Sequence, residues 1–164
     1  MFDLAYKNLA IIAHSRSEPD NRIDTLPPGL PSRFIGVLDE MRRDLAQRDV
    51  PFVLSTFLVK YRRNQGRATQ ISNADVAFYY MPWMSIDGML NAVDLYNEAI
   101  LSFARTHHLP VVDDRDAIPA TDEYFADCMH LADKGNEAQA ERFSRFIQAS
   151  EGLNRAIRSA ADRR

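Results

Sequence analysis

The chain has 164 residues, 46% of them hydrophobic and 26% charged, the makeup of one ordinary globular domain. Its formal net charge of -3 offers no basic footprint, so nucleic acid is not an expected partner, and its one cysteine excludes an intrachain disulfide or a multi-cysteine metal site. No apolar run approaches the roughly 18 residues of a membrane-spanning helix.

At the start, Phe2, Ala5, Leu9 and Ile12 recur at helical spacing, without the positive beginning and long apolar core of a secretory signal. Residues 15–32 are polar and proline-rich and read as a loop. From Arg33 the apolar positions Phe34, Leu38, Met41 and Leu45 step by four, three and four, with Asp39, Glu40, Arg42, Arg43 and Asp44 on the other faces. This spacing predicts a helix of about four turns, halted by Pro51.

Residues 52–59 are β-branched and aromatic, as expected of a buried strand in a parallel sheet. Residues 60–85, polar and then rich in aromatics and methionine, read as a long connection at that strand's carboxyl end. Val93, Tyr96, Ile100 and Phe103 then predict a helix from Asp87 to about His107 and His108, whose charges suit the carbonyl end of its dipole. A short strand follows at residues 109–112, then an acidic loop with Asp113, Asp114 and Asp116. Asp133 is placed to cap a last helix with Ala140, Phe143 and Ile147 on one face, and Gly135 near its start suits close packing or the turn. Residues 150–164, with Arg155, Arg158, Arg163 and Arg164, read as a mobile basic tail. The order helix, strand, helix, strand, helix implies a layered α/β domain with parallel strands and right-handed crossovers.

Ligands of such sheets bind beyond the carboxyl ends of the strands, where both the segment after Val59 and the segment around Asp127 fall. The run Asp127-Cys128-Met129-His130 sets a carboxylate three residues before an imidazole, directly ahead of a helix. On a turn, that separation lets the carboxylate take the Nδ1 proton and leaves Nε2 free to accept one from a hydroxyl, the base half of a hydrolytic triad.

Set between Tyr124 and Phe143, this block resembles the last conserved block of the SGNH, or GDSL-type, ester hydrolases. The resemblance implies that Asp127 orients the imidazole and that His130 is the general base. It covers residues 33–147 and implies a three-layer, flavodoxin-like parallel-sheet domain over residues 1–149, N-terminally truncated. The family's Gly-Asp-Ser block, its oxyanion-hole glycine block and its Gly-x-Asn-Asp block are absent. The six glycines are Gly29, Gly36, Gly66, Gly88, Gly135 and Gly152, and none precedes Asp-Ser or Asn-Asp. The expected substrate is a small-molecule ester of acyl or carbohydrate type, with no metal or organic cofactor, and the nucleophilic serine lies outside the chain. Oligomeric state and compartment are not specified.

Other residues admit other chemistry. Ser15 and Ser17 follow an apolar run but lack a nearby glycine for a nucleophile elbow. Cys128 reads as a small packing residue. The carboxylates of Asp113, Asp114 and Asp116 can hold Mg²⁺ for phosphoryl transfer, although a polar loop start is the far commoner reason for such a run. Phe78, Tyr79, Tyr80 and Trp83 can line an acyl or sugar pocket or simply pack a loop, and Arg62 and Arg63 read as a solvated pair able to steer an anion. A noncatalytic α/β module that keeps Asp127 and His130 only as structure is the alternative to an enzyme.

Overall fold

The structure is a computed structural model that describes residues 22–161. The expected helix around Phe2, Ala5, Leu9 and Ile12, and the serines Ser15 and Ser17, lie outside these residues. The described chain is α/β. Helix α1 spans Ser32–Gln47, strand β1 Leu54–Ser55, helices α2 and α3 Arg67–Asn73 and Asp75–Tyr80, helix α4 Ile86–Thr106, strand β2 Val111–Val112, and helices α5 and α6 Asp133–Ala149 and Glu151–Ala161. No helix among the described residues is long and apolar enough to cross a membrane.

Helix α1 forms where the apolar spacing places it. Leu38 is buried, with Phe34 and Ile35 beside it, but Met41 is 47% exposed, so the inward stripe is shorter than the sequence pattern. The strands pair in parallel, Leu54 opposite Val111 and Ser55 opposite Val112. The ladder is much shorter than the extended run at residues 52–59 because its partner is short: Pro110 has no N–H to donate, and the chain turns away after Val112. Beyond Thr56, whose N–H reaches Val112 O at 3.2 Å, the first strand's main chain finds partners outside the sheet.

The segment at residues 60–85 is not the irregular connection expected from its composition. Gly66 and Ala74 introduce α2 and α3, which bury Gln70, Ala77 and Phe78. Gln70 Nε2 donates to Arg62 O at 2.9 Å, so a polar residue serves the inward face of α2. Composition concealed these helices because each is less than two turns long.

Helix α4, 21 residues and about 30 Å long, organises the molecule. Ser85 caps it, its Oγ accepting the Gly88 N–H at 3.0 Å. Its first turns place Ile86, Met89 and Leu90 in one apolar cluster with Val59, Tyr61 and Phe78. Its last turns place Ile100, Phe103 and Ala104 in a second cluster with Leu38 and Leu54. The helix ends with the His107 ring tilted against Phe103, centroids 4.4 Å apart, and His108 in the left-handed region at φ 52°.

Helix α5 begins without the expected side-chain cap. Ala132 is the N-cap, and Asp133 is the first helical residue, its charge instead set in the turn that the helix dipole favours. Gly135 packs closely: a Cβ there would stand 2.1 Å from Tyr124 O. In the basic tail, α6 is formed and buries Leu153.

Candidate active site

The loop from β2 to α5 closes on itself as a small hairpin. Phe125 bridges to Leu131, Ala126 N–H donates to His130 O at 2.8 Å, and Ala132 N–H donates to Tyr124 O at 3.0 Å. Phe125 and Cys128 are buried beneath the turn, which directs Asp127, Met129 and His130 outward. Cys128 O accepts the Lys60 N–H at 2.9 Å, tying the turn to the exit of β1.

Asp127 uses both carboxylate oxygens. Oδ1 accepts the N–H groups of Met129 and His130, each at 2.8 Å, and Oδ2 lies 2.6 Å from His130 Nδ1. The main-chain bonds fix the carboxylate before the imidazole is considered. Burial by itself raises the Asp127 carboxyl, but the two N–H groups and the imidazole outweigh it and hold the group below the usual carboxylate range. An ionised carboxylate only accepts hydrogen bonds, so neutral His130 carries its proton on Nδ1 and presents a bare Nε2 lone pair. The imidazole side chain is 74% exposed and that of Asp127 is 25% exposed.

His130 stands at the rim of an apolar cavity of about 440 Å³, with Met129 beside it and Phe57, Tyr61, Met89 and Tyr96 among its walls. Phe34, Phe57 and Tyr96 form an edge-packed aromatic trio, with centroid separations of 5.5–6.4 Å. The aromatic cluster at residues 78–83, read as a pocket lining or as loop packing, does not line this cavity. Phe78 is a core residue, Tyr80 and Trp83 are exposed, and only Met81 of that stretch reaches the cavity.

No family model, curated protein or solved structure matches the chain.

The other candidates separate. Asp113 is held by Arg115, Asp114 is fully buried against Arg142 Nε at 2.6 Å, and Asp116 lies 3.8 Å from Arg62 Nε. The three carboxylates thus pair with three different arginines, and among the described residues no group of three His, Cys, Asp or Glu is disposed to hold a metal ion. Arg62 is not the solvated residue its sequence neighbourhood suggests: its side chain is 10% exposed, with Nε donating to Val59 O at 3.3 Å and Nη2 donating to Ile118 O. Burial, and secondarily the Asp127 charge, push the Cys128 thiol up to about 11, the opposite of an activated nucleophile.

Asn97 is absent from the sequence-derived candidates. It is wholly buried in the middle of α4, and its carboxamide bonds both main-chain groups of Phe57. One signal was available: a lone carboxamide, one residue beyond the apolar position Tyr96, is out of place on a helix face otherwise lined by apolar side chains.

Proposed function

We propose that the chain carries the acid–base half of an SGNH-type ester hydrolase, built on a three-layer, flavodoxin-like parallel-sheet domain whose nucleophilic serine comes from a Gly-Asp-Ser block outside these residues. The observation that carries the reading is the division of labour on Asp127. One oxygen is locked by two main-chain N–H groups, and the other orients an exposed imidazole at the mouth of an apolar cavity. In the reaction, His130 Nε2 takes the proton of the serine hydroxyl as that oxygen attacks the ester carbonyl. The imidazolium, stabilised by Asp127, returns the proton to the departing alkoxide. A water molecule activated by the same Nε2 then releases the acid. The apolar cavity suits the acyl half of a small-molecule ester.

One observation favours a noncatalytic module as the second reading: Asp127 Oδ1 accepts the Met129 and His130 N–H groups, a turn-holding role that is complete without catalysis. One measurement tests the Asp127–His130 geometry and a second divides the readings. On this chain, long-range ¹H–¹⁵N NMR should find His130 in the Nδ1-protonated tautomer, switching to the Nε2-protonated form in Asp127→Asn. In the longest natural reading frame containing the chain, a serine-directed fluorophosphonate should label the protein. There, His130→Ala should lower p-nitrophenyl ester turnover by about 10⁴-fold or more, and Asp127→Asn by about 10⁴-fold. Turnover that survives His130→Ala would end the catalytic reading.

A further inference from the structure

A second cavity, of about 550 Å³, adjoins the apolar one, and Phe57, Val59, Tyr61 and Val93 line both. Its lining is balanced in charge: Arg62, Arg63 and Arg115 contribute to it together with Asp94, Asp113 and Asp116. We propose that this cavity is a polyol-binding subsite, which takes a neutral, hydroxyl-rich group such as a sugar ring.

The guanidinium groups are held in place by the protein. Arg63 Nε reaches Asp94 Oδ2 at 2.6 Å and its Nη2 reaches Asn91 Oδ1 at 2.6 Å. Arg115 grips Asp113 through Nε and Nη2, at 2.9 and 2.6 Å, and Glu98 through Nη1 at 2.8 Å. Side chains fixed in this way lose little freedom when a ligand arrives, and each guanidinium has more N–H donors than these bonds occupy.

The balance of charge selects the ligand. An anion drawn to the three arginines meets three carboxylates, and a cation meets the reverse. A hydroxyl group donates to a carboxylate and accepts from a guanidinium, so a polyol satisfies both sets at once. Phe57, which is about half exposed, supplies an aromatic surface for the C–H face of a sugar. The volume falls within the roughly 300–1,000 Å³ of small-molecule sites. In the catalytic reading, on which its role rests, this subsite holds the alcohol half of the ester while the acyl half occupies the apolar cavity beside His130.

The test is a titration of the ¹⁵N-labelled chain with three probes at matched ionic strength: methyl β-D-glucopyranoside, inorganic phosphate and tetramethylammonium. The glycoside should give saturable shifts at the amides of Arg63 and Asn64 and at the Arg115 Nε–H, and the two ions should not. Arg63→Ala and Asp94→Ala should each weaken glycoside binding by about ten-fold, the equivalent of one charge-assisted hydrogen bond, with an unchanged melting temperature because this ion pair is half exposed. Saturation by phosphate without the glycoside would make this an anion site and overturn the proposal. Shifts from none of the probes would reduce it to a surface ion-pair network, overturning it equally. Neither result bears on the His130 tautomer or on ester turnover, and failure of those leaves the glycoside titration intact.

Discussion

Asn97 closes a two-bond ring on the main chain of Phe57: its Oδ1 accepts the Phe57 N–H at 2.7 Å, and its Nδ2 donates to the Phe57 carbonyl at 3.0 Å. The sheet ladder has ended at this point, so a side chain of α4 replaces a neighbouring strand for one residue. Phe57 begins the wall shared by the two cavities, which makes Asn97 the link between the helix and the site. Asn97→Leu keeps the volume but leaves both main-chain groups without their partner. It should lower stability by about 2–3 kcal/mol in urea unfolding. A loss below about 0.5 kcal/mol, the scale of an ordinary surface substitution, would show that solvent satisfies Phe57 equally well.

Gly135 and Gly36 are both helical glycines, and replacing each by alanine should have opposite effects. At Gly36 a Cβ meets nothing within 4 Å, so Gly36→Ala should gain about 0.5–1 kcal/mol from the helix propensity of alanine. At Gly135 a Cβ meets Tyr124 O at 2.1 Å and Leu131 Cδ2 at 2.9 Å. Tyr124 O also receives the Ala132 N–H that closes the Asp127–His130 hairpin, so relief of the clash disturbs the turn. Gly135→Ala should cost about 1–3 kcal/mol and shift the amide resonances of Asp127 and His130. Equal gains at both positions would contradict the packing of α5 against this loop.

Cys128 supplies a pH dependence on the alkaline side. Burial raises its thiol from an ordinary value of 9.0 to about 11, so between these values the unfolded chain has released a proton that the folded chain retains. The folded state is therefore favoured below pH 9 and progressively less favoured as pH rises toward 11. Urea midpoints should fall over this window, and Cys128→Ala should flatten the part of the slope due to the thiol. In the native protein at pH 8, the same burial should slow reaction with a disulfide reagent well below the rate of the unfolded chain. Equal rates in the two states would show that the hairpin opens freely.

Much of the frame is legible in the sequence. The helices Ser32–Gln47, Ile86–Thr106 and Asp133–Ala149 follow from apolar spacing and from the break at Pro51, and two strands from the apolar runs at residues 52–59 and 109–112, of which only Leu54–Ser55 and Val111–Val112 pair. The helices α2 and α3 were not legible, because a period of 3.6 residues needs more than two turns to stand out from composition. Asp133 misled for a different reason: an acidic residue suits both the N-cap and the first turn, and only the main-chain angles of Ala132, φ -77° and ψ 173°, place the cap there.

The Asp127–His130 contact belongs to the part that sequence determines by itself, since all its atoms lie within four residues and one turn brings them together. Tertiary structure alone decided what surrounds that turn. Asn97 meets Phe57 across 40 positions, Arg142 meets Asp114 across 28, and Arg63 meets Asp94 across 31. Apolar periodicity records which face of an element turns inward, but a polar side chain leaves no periodic trace of the distant partner that makes its burial tolerable.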